Sequence, residues 1–136
     1  MTEKIMLAGC VILDNISRIL VIHRKDRHWE MPGGKVEQYE TPNQTAIREL
    51  KEELNVMVNI EKDLGKKAFN DGSYEMEYAW FLATIVFGEP QIMEKGHDNF
   101  AYFSFEELKE RNDLSSNLKN FVDAYFSGEI LIDFKS

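Results

Sequence analysis

Residues 29–56 read WEMPGGKVEQYETPNQTAIRELKEELNV, and the middle of this stretch is built to start a helix. Thr41 caps the first turn. Pro42 suits the first helical position, where its missing N–H costs nothing, and Gln44 completes a capping box. Ala46, Ile47, Leu50 and Leu54 then recur at helical spacing, which predicts a helix to about Leu54 with one buried face and its charges on the other. Asn55 tolerates the left-handed conformation that ends such a helix.

Glu49, Glu52 and Glu53 stand at i, i+3 and i+4 of this helix, which puts three carboxylates on one stripe. Each like-charged pair costs roughly 0.2–0.5 kcal/mol, and acids late in a helix oppose its macrodipole by about 0.3–1 kcal/mol each. A hard divalent cation reverses both penalties. The spacing alone also fits a solvated face softened by Arg48 and Lys51. Two neighbours separate the readings: Pro32-Gly33-Gly34 offers backbone that can approach closely, and Glu40 adds a carboxylate just before the helix.

Working outward, Met6–Leu13 and Arg18–His23 are apolar and rich in β-branched residues, and with Asp14-Asn15 between them they read as a hairpin. Arg24–Glu30 reads as a basic, polar loop. Beyond the helix, Val56–Ile60, Lys66–Phe69 and Tyr74–Phe87 read as strands, with Asp71-Gly72-Ser73 as a tight turn, and Ala101–Phe105 as one more. Ser104 with Glu107, then Ser115 or Ser116, start two closing helices, the second carrying Leu118, Phe121, Val122 and Tyr125 and ending at Gly128. The fold expected is α+β, a mixed sheet flanked by helices, with residues 1–136 as a single domain.

Composition narrows the functional classes. With 43% hydrophobic and 29% charged residues the chain is that of a folded, soluble protein. Acids outnumber bases 24 to 16 and the net charge is -8, which argues against a nucleic-acid partner because neutralising phosphates needs clustered Lys and Arg. A phosphate ligand therefore needs another source of positive charge. The one cysteine, Cys10, excludes an internal disulfide and, lying in an apolar run, reads as a small core residue. The N-terminal apolar stretch is too short and interrupted for a membrane span and lacks a signal-peptide layout, so no membrane partner and a cytoplasmic location are expected. The acidic surface is compatible with a monomer or a homodimer.

Gly34, Glu40, Arg48, Glu49, Leu50, Glu52, Glu53 and Val56 resemble the Nudix box, glycine-x5-Glu-x7-Arg-Glu-aliphatic-x-Glu-Glu-x-glycine-aliphatic, with Asn55 where the family usually has glycine. The wider stretch from Trp29 to Glu53 is similar to the MutT-like branch. The resemblance implies the Nudix fold, an α/β/α sandwich, and a pyrophosphohydrolase dependent on magnesium, with manganese as a possible substitute. It implies that Glu49, Glu52 and Glu53 bind the metal with the Gly33 carbonyl, and that Arg48 and Glu40 orient the carboxylates. A water attacking phosphorus in line then gives its proton to Glu52, to Glu53 or to a later acid.

The later acids are Glu94 and Asp98, in the loop before the Tyr102 strand, where related enzymes often place a further carboxylate; Glu94 is taken as an additional metal ligand and His97 is expected in solvent. Arg24 matches a position where MutT-like enzymes set an arginine on the substrate phosphates, a task a guanidinium fork suits, and Lys35 is a second candidate. Met31 and Asn117 are placed by the resemblance at the base; an Asn in the first turn of a helix is equally a cap. Trp29, Tyr78 and Trp80 read as core aromatics.

The substrate expected is a small nucleotide, most of all a nucleoside triphosphate, oxidised or not, cleaved to the monophosphate and pyrophosphate. ADP-ribose or another nucleoside diphosphate derivative is the alternative, and a nucleotide-binding regulator without turnover is a third reading, against which the intact acidic set argues.

Overall fold

The computed structural model describes residues 3–72 and 74–134. In chain order the elements are β1 (Glu3–Ile12), β2 (Ile19–Arg24), β3 (Trp29–Glu30), β4 (Gly33–Lys35), α1 (Pro42–Leu54), β5 (Met57–Asp71), β6 (Tyr74–Phe87), β7 (His97–Phe103), α2 (Phe105–Lys109) and α3 (Ser116–Ser127). The strands form two sheets, a mixed one in the order β4-β1-β6-β5 and an antiparallel one in the order β3-β2-β7.

Side-chain alternation along the strands divides the core into two layers. Ala8, Cys10 and Ile12 of β1, Leu20 and Ile22 of β2, and Phe81 and Ala83 of β6 pack with Ala46, Leu50 and Leu54 of α1. Their neighbours Val11, Ile19, Val21, Tyr78 and Trp80 face the other way, onto Leu108 of α2 and Leu118, Phe121 and Val122 of α3. Helices thus cover both faces of the sheets, the expected sandwich. Among the described residues no helix is long and apolar enough to cross a membrane.

The expected hairpin does not form. The turn is present: Asp14 Oδ1 accepts from Ile16 N at 3.1 Å and from Arg18 N at 2.8 Å. Yet the backbone pairing that leads out of this turn goes no further than the bridge Leu13–Ile19. Both edges of β1 are taken, by β4 antiparallel and by β6 parallel, and β2 is paired with β3 and β7, so the two strands diverge into different sheets.

Other boundaries shift for local reasons. The expected strands Val56–Ile60 and Lys66–Phe69 merge, from Met57 onward, into one long strand, β5, which passes through three register irregularities rather than a loop. The end of the basic loop pairs as β3, Ile22 with Glu30 and His23 with Trp29. The expected strand Ala101–Phe105 starts earlier, at His97, and stops at Phe103 because Ser104 caps α2. Of the expected turn Asp71-Gly72-Ser73, Ser73 lies outside the described residues.

Candidate active site

Helix α1 begins as its sequence dictates. Thr41 and Gln44 form the capping box, Pro42 occupies the first turn, and Asn55 closes the helix at φ 57°, its N–H donating to the Lys51 carbonyl. This fixes the helix against β4, and Gly34 makes the close approach possible. A Cβ on Gly34 would lie 2.5 Å from the Glu49 carboxyl carbon, so only glycine leaves the volume that this carboxylate fills.

The three acids of the stripe occupy three environments. Glu52 is half exposed, Glu49 is largely covered, and Glu53 is buried at 3% exposure with Oε1 accepting from Gly33 N at 2.8 Å. The expectation that all the charges lie on the outer face fails at Glu53, which sits among Thr45, Ala46, Leu50 and Leu54 on the covered side. Burial, and then the neighbouring Glu49 charge, push the Glu53 carboxyl up to about 9, against the pull of the Gly33 N–H. Glu49 is also raised, chiefly by burial. Two acids held this way favour a cation.

Arg48 ties the stripe to the preceding loop. Its Nε donates to Glu40 Oε2 at 2.7 Å, Nη2 to Glu40 Oε1 at 2.9 Å, and Nη1 to Glu49 and Glu52 at 2.9 and 3.1 Å. Nη2 also reaches the Lys35 carbonyl at 3.2 Å. The Arg48 fork, helped by Thr45 Oγ1 at 2.6 Å, holds the Glu40 carboxyl at about 2. The side chain of Lys35 itself is exposed.

Beside the stripe lies a cleft of about 410 Å³, lined by Arg24, Arg27, His28, Met31, Tyr78 and Asn117 among others. Lys35 is not among its walls. Arg24 is there, but its fork is engaged: Nε and Nη2 donate to the two Glu30 oxygens at 2.8 and 3.1 Å. Asn117 does not cap α3; Ser115 does, accepting from Leu118 N. Instead Asn117 Oδ1 accepts from Trp80 Nε1 at 3.0 Å. An indole N–H can only donate, so the amide oxygen is fixed toward Trp80, leaving the amide NH2 as the group with hydrogens to offer elsewhere.

The loop before β7 closes the site. Met93 N donates to the Glu53 carbonyl at 3.2 Å, and the Glu94 carboxylate, about half exposed, lies 3.9 Å from His97 Nδ1. Asp98 points elsewhere, pairing with His23 at 2.7 Å. His97, expected in solvent, has a side chain only 2% exposed, with Nε2 3.8 Å from both Glu30 Oε2 and Glu53 Oε2.

Glu30 and His97, which meet Glu53 here, had no site role expected of them from the sequence, where His97 is placed in solvent. For Glu30 a signal existed: alternation with Trp29, which enters the α3-side core, turns Glu30 the opposite way, toward His97 and Glu53. For His97, between Gly96 and Asp98, nothing in the local pattern marks burial.

Comparison with known proteins identifies the family. The model of the NUDIX domain matches residues 4–125. An 8-oxo-dGTP diphosphatase of Proteus vulgaris is 32% identical over 87 residues, spanning 60% of this chain and 78% of that protein. A MutT-like protein of Streptomyces ambofaciens is 37% identical over 64 residues, which is 46% of this chain and 41% of that one. Among solved structures, a MutT protein from Methanosarcina mazei superposes with a TM-score of 0.83 at 18% identity, over 94% of this chain and 96% of the other. A MutT NUDIX hydrolase from Burkholderia pseudomallei gives 0.75 at 25% identity, over 89% and 97%. The chain belongs to the NUDIX domain family and is a Nudix pyrophosphohydrolase of the MutT-like kind. Enzymes of this family act on small nucleotide substrates with a divalent metal, which removes the reading as a regulator without turnover.

Proposed function

We propose that the chain, acting as one domain in the cytoplasm as a monomer or homodimer, hydrolyses a nucleoside triphosphate to the monophosphate and pyrophosphate with magnesium, manganese serving as a substitute. The observation that carries this is the pair of carboxylates, Glu49 against Gly34 and Glu53 on Gly33 N–H, raised by burial and neighbouring charge behind the two glycines that line the cleft. Glu49, Glu52, Glu53 and the Gly33 carbonyl would hold the cation, with Glu94 added from the loop before β7. A divalent cation bound there would neutralise the substrate phosphates and lower the pKa of a water.

The protein groups do the rest. Arg48, anchored on Glu40, keeps Glu49 and Glu52 in register. Glu52, the acid open to solvent, takes the proton as water attacks phosphorus and the bridging P–O bond breaks. Arg24 steadies phosphate oxygens at the cleft wall, and Lys35 adds positive charge from β4. Met31 packs on the base, and the free NH2 of Asn117 donates to an acceptor on its edge, such as the carbonyl of a guanine-type ring. The Proteus relative's name points to an oxidised guanine nucleotide, which makes 8-oxo-dGTP the first substrate to try.

The test is a panel of nucleoside triphosphates, 8-oxo-dGTP, ADP-ribose and dinucleoside polyphosphates, incubated with magnesium and assayed for pyrophosphate and monophosphate. Triphosphates should release pyrophosphate, and chelator should abolish it. Turnover that survives chelator, or that is confined to ADP-ribose, overturns the reading.

A further inference from the structure

Behind the stripe sits a second set of donors. Glu30, Glu53 and His97 present one ligand atom each, all within 4.8 Å of one another, and none of the three is exposed. The geometry points to a site here for a divalent transition ion of the zinc or cobalt class, the kind that accepts imidazole together with carboxylate. The inference deepens the proposed function and rests on it in one respect, that Glu53 is shared with the magnesium-type stripe.

The imidazole makes the argument. Both ring nitrogens of His97 are buried and neither has a hydrogen-bond partner among the described residues. Buried polar atoms left in this state are rare and costly. The carboxylate oxygens of Glu30 and Glu53, at 3.8 Å from Nε2, are beyond hydrogen-bond reach of about 3.2 Å. They do leave room for one intervening atom, since zinc sits roughly 2.0–2.2 Å from imidazole nitrogen and carboxylate oxygen alike.

Each carboxylate is also held as a ligand should be. Gly33 N–H takes Oε1 of Glu53 and leaves Oε2 turned to His97. On Glu30, Arg24 Nε and His28 Nε2 both meet Oε1, at 2.8 and 3.1 Å, and Arg24 Nη2 takes one lone pair of Oε2 at 3.1 Å. A carboxylate has about four acceptor positions, so Oε2 keeps one facing the imidazole. Hydrogen-bonded supports of this kind orient ligands and sustain metal affinity. Magnesium, which prefers six oxygens and retains its waters, gains nothing from an imidazole; the outer stripe suits it and the inner triad does not.

Titrating the metal-stripped protein with Co2+ and following its visible absorption tests this directly. Wild type should develop the ligand-field bands of a nitrogen-ligated ion. His97→Gln should bind Co2+ at least tenfold more weakly while its magnesium affinity, from calorimetry, stays within threefold. Glu49→Gln should show the reverse. Equal Co2+ binding by wild type and His97→Gln overturns the site. Should His97→Gln fail to fold, wild type still decides: saturating Zn2+ should shift the ring nitrogen resonances of His97 in long-range proton–nitrogen spectra, and shifts confined to His23 or His28 overturn the proposal. Failure of the parent reading is distinguishable, because then no nucleotide releases pyrophosphate with any cation although the Co2+ titration keeps its His97 dependence.

Discussion

Glu53 shows how one buried carboxyl couples stability to chemistry. The folded protein keeps its proton up to about 9, whereas its ordinary value is 4.5, so across that interval the unfolded chain has released a proton that the fold retains. Metal-free protein therefore loses stability as pH rises from 4.5 to 9. Glu53→Gln mimics the protonated form and lacks this slope. Its melting temperature without metal should exceed wild type at pH 7, by a margin that grows toward pH 9 and vanishes below 4.5. Turnover with magnesium should fall by more than the roughly 10–100-fold that changes to supporting residues cost. A variant that keeps wild-type turnover, or that unfolds without metal, makes Glu53 a structural residue. Glu40 behaves oppositely, since its pairing with Arg48 lowers it to about 2 from 4.5. That stabilisation is present above pH 4.5 and lost as pH falls through 2. Glu40→Gln should thus melt a few degrees lower than wild type at pH 6, the gap closing in acid; a gap independent of pH removes the charge pairing from the account. At this scale the stripe Glu49, Glu52 and Glu53 was legible from spacing, but the burial that sets Glu53 apart was not, because it depends on a loop twenty residues upstream in sequence.

At the scale of elements, local signals worked where one segment decides its own state. Thr41-Pro42 and Gln44 start α1, Asn55 ends it, and Ser104 with Glu107 and Ser115 with Gly128 do the same for α2 and α3. They failed where the partner of a strand lies far off. Nothing in Met6–Leu13 shows that both its edges are claimed by β4 and β6, so a correct turn at Asp14 implied a hairpin that does not exist. The meeting of β4 with α1 supplies a sharper test. In Gly34→Ala the added methyl must displace the Glu49 carboxylate, because the helix is pinned by its cap and by Arg48. Magnesium affinity by calorimetry should weaken by about tenfold or more, with a melting temperature lower by only a few degrees. Unchanged affinity would show that Glu49 needs no such approach.

Across the whole molecule, the cleft joins parts of the chain that the sequence leaves far apart: Arg24 and Met31 from one end, Asn117 from the other. The link between Trp80 of β6 and Asn117 of α3 braces it from within the core. Trp80→Phe keeps an aromatic ring against Phe121 but leaves the amide oxygen without its donor, which should cost about 1–3 kcal/mol in denaturant melts. Adding Asn117→Leu removes the orphaned oxygen, and the double variant should recover part of that loss. If the single variant is as stable as wild type, the amide turns freely and the brace is absent. The position of β1 has a consequence for how the protein is made. This first strand lies in the interior of its sheet, and its parallel neighbour is β6, which ends at Phe87. On a ribosome β1 emerges well before β6 and waits, its edge toward that strand unmatched, until β6 has been translated. Local helices such as α1 can form meanwhile, but closure of the mixed sheet is a late, long-range event. Nascent chains truncated before β6 should therefore remain protease-sensitive at β1, and those that include it should be protected.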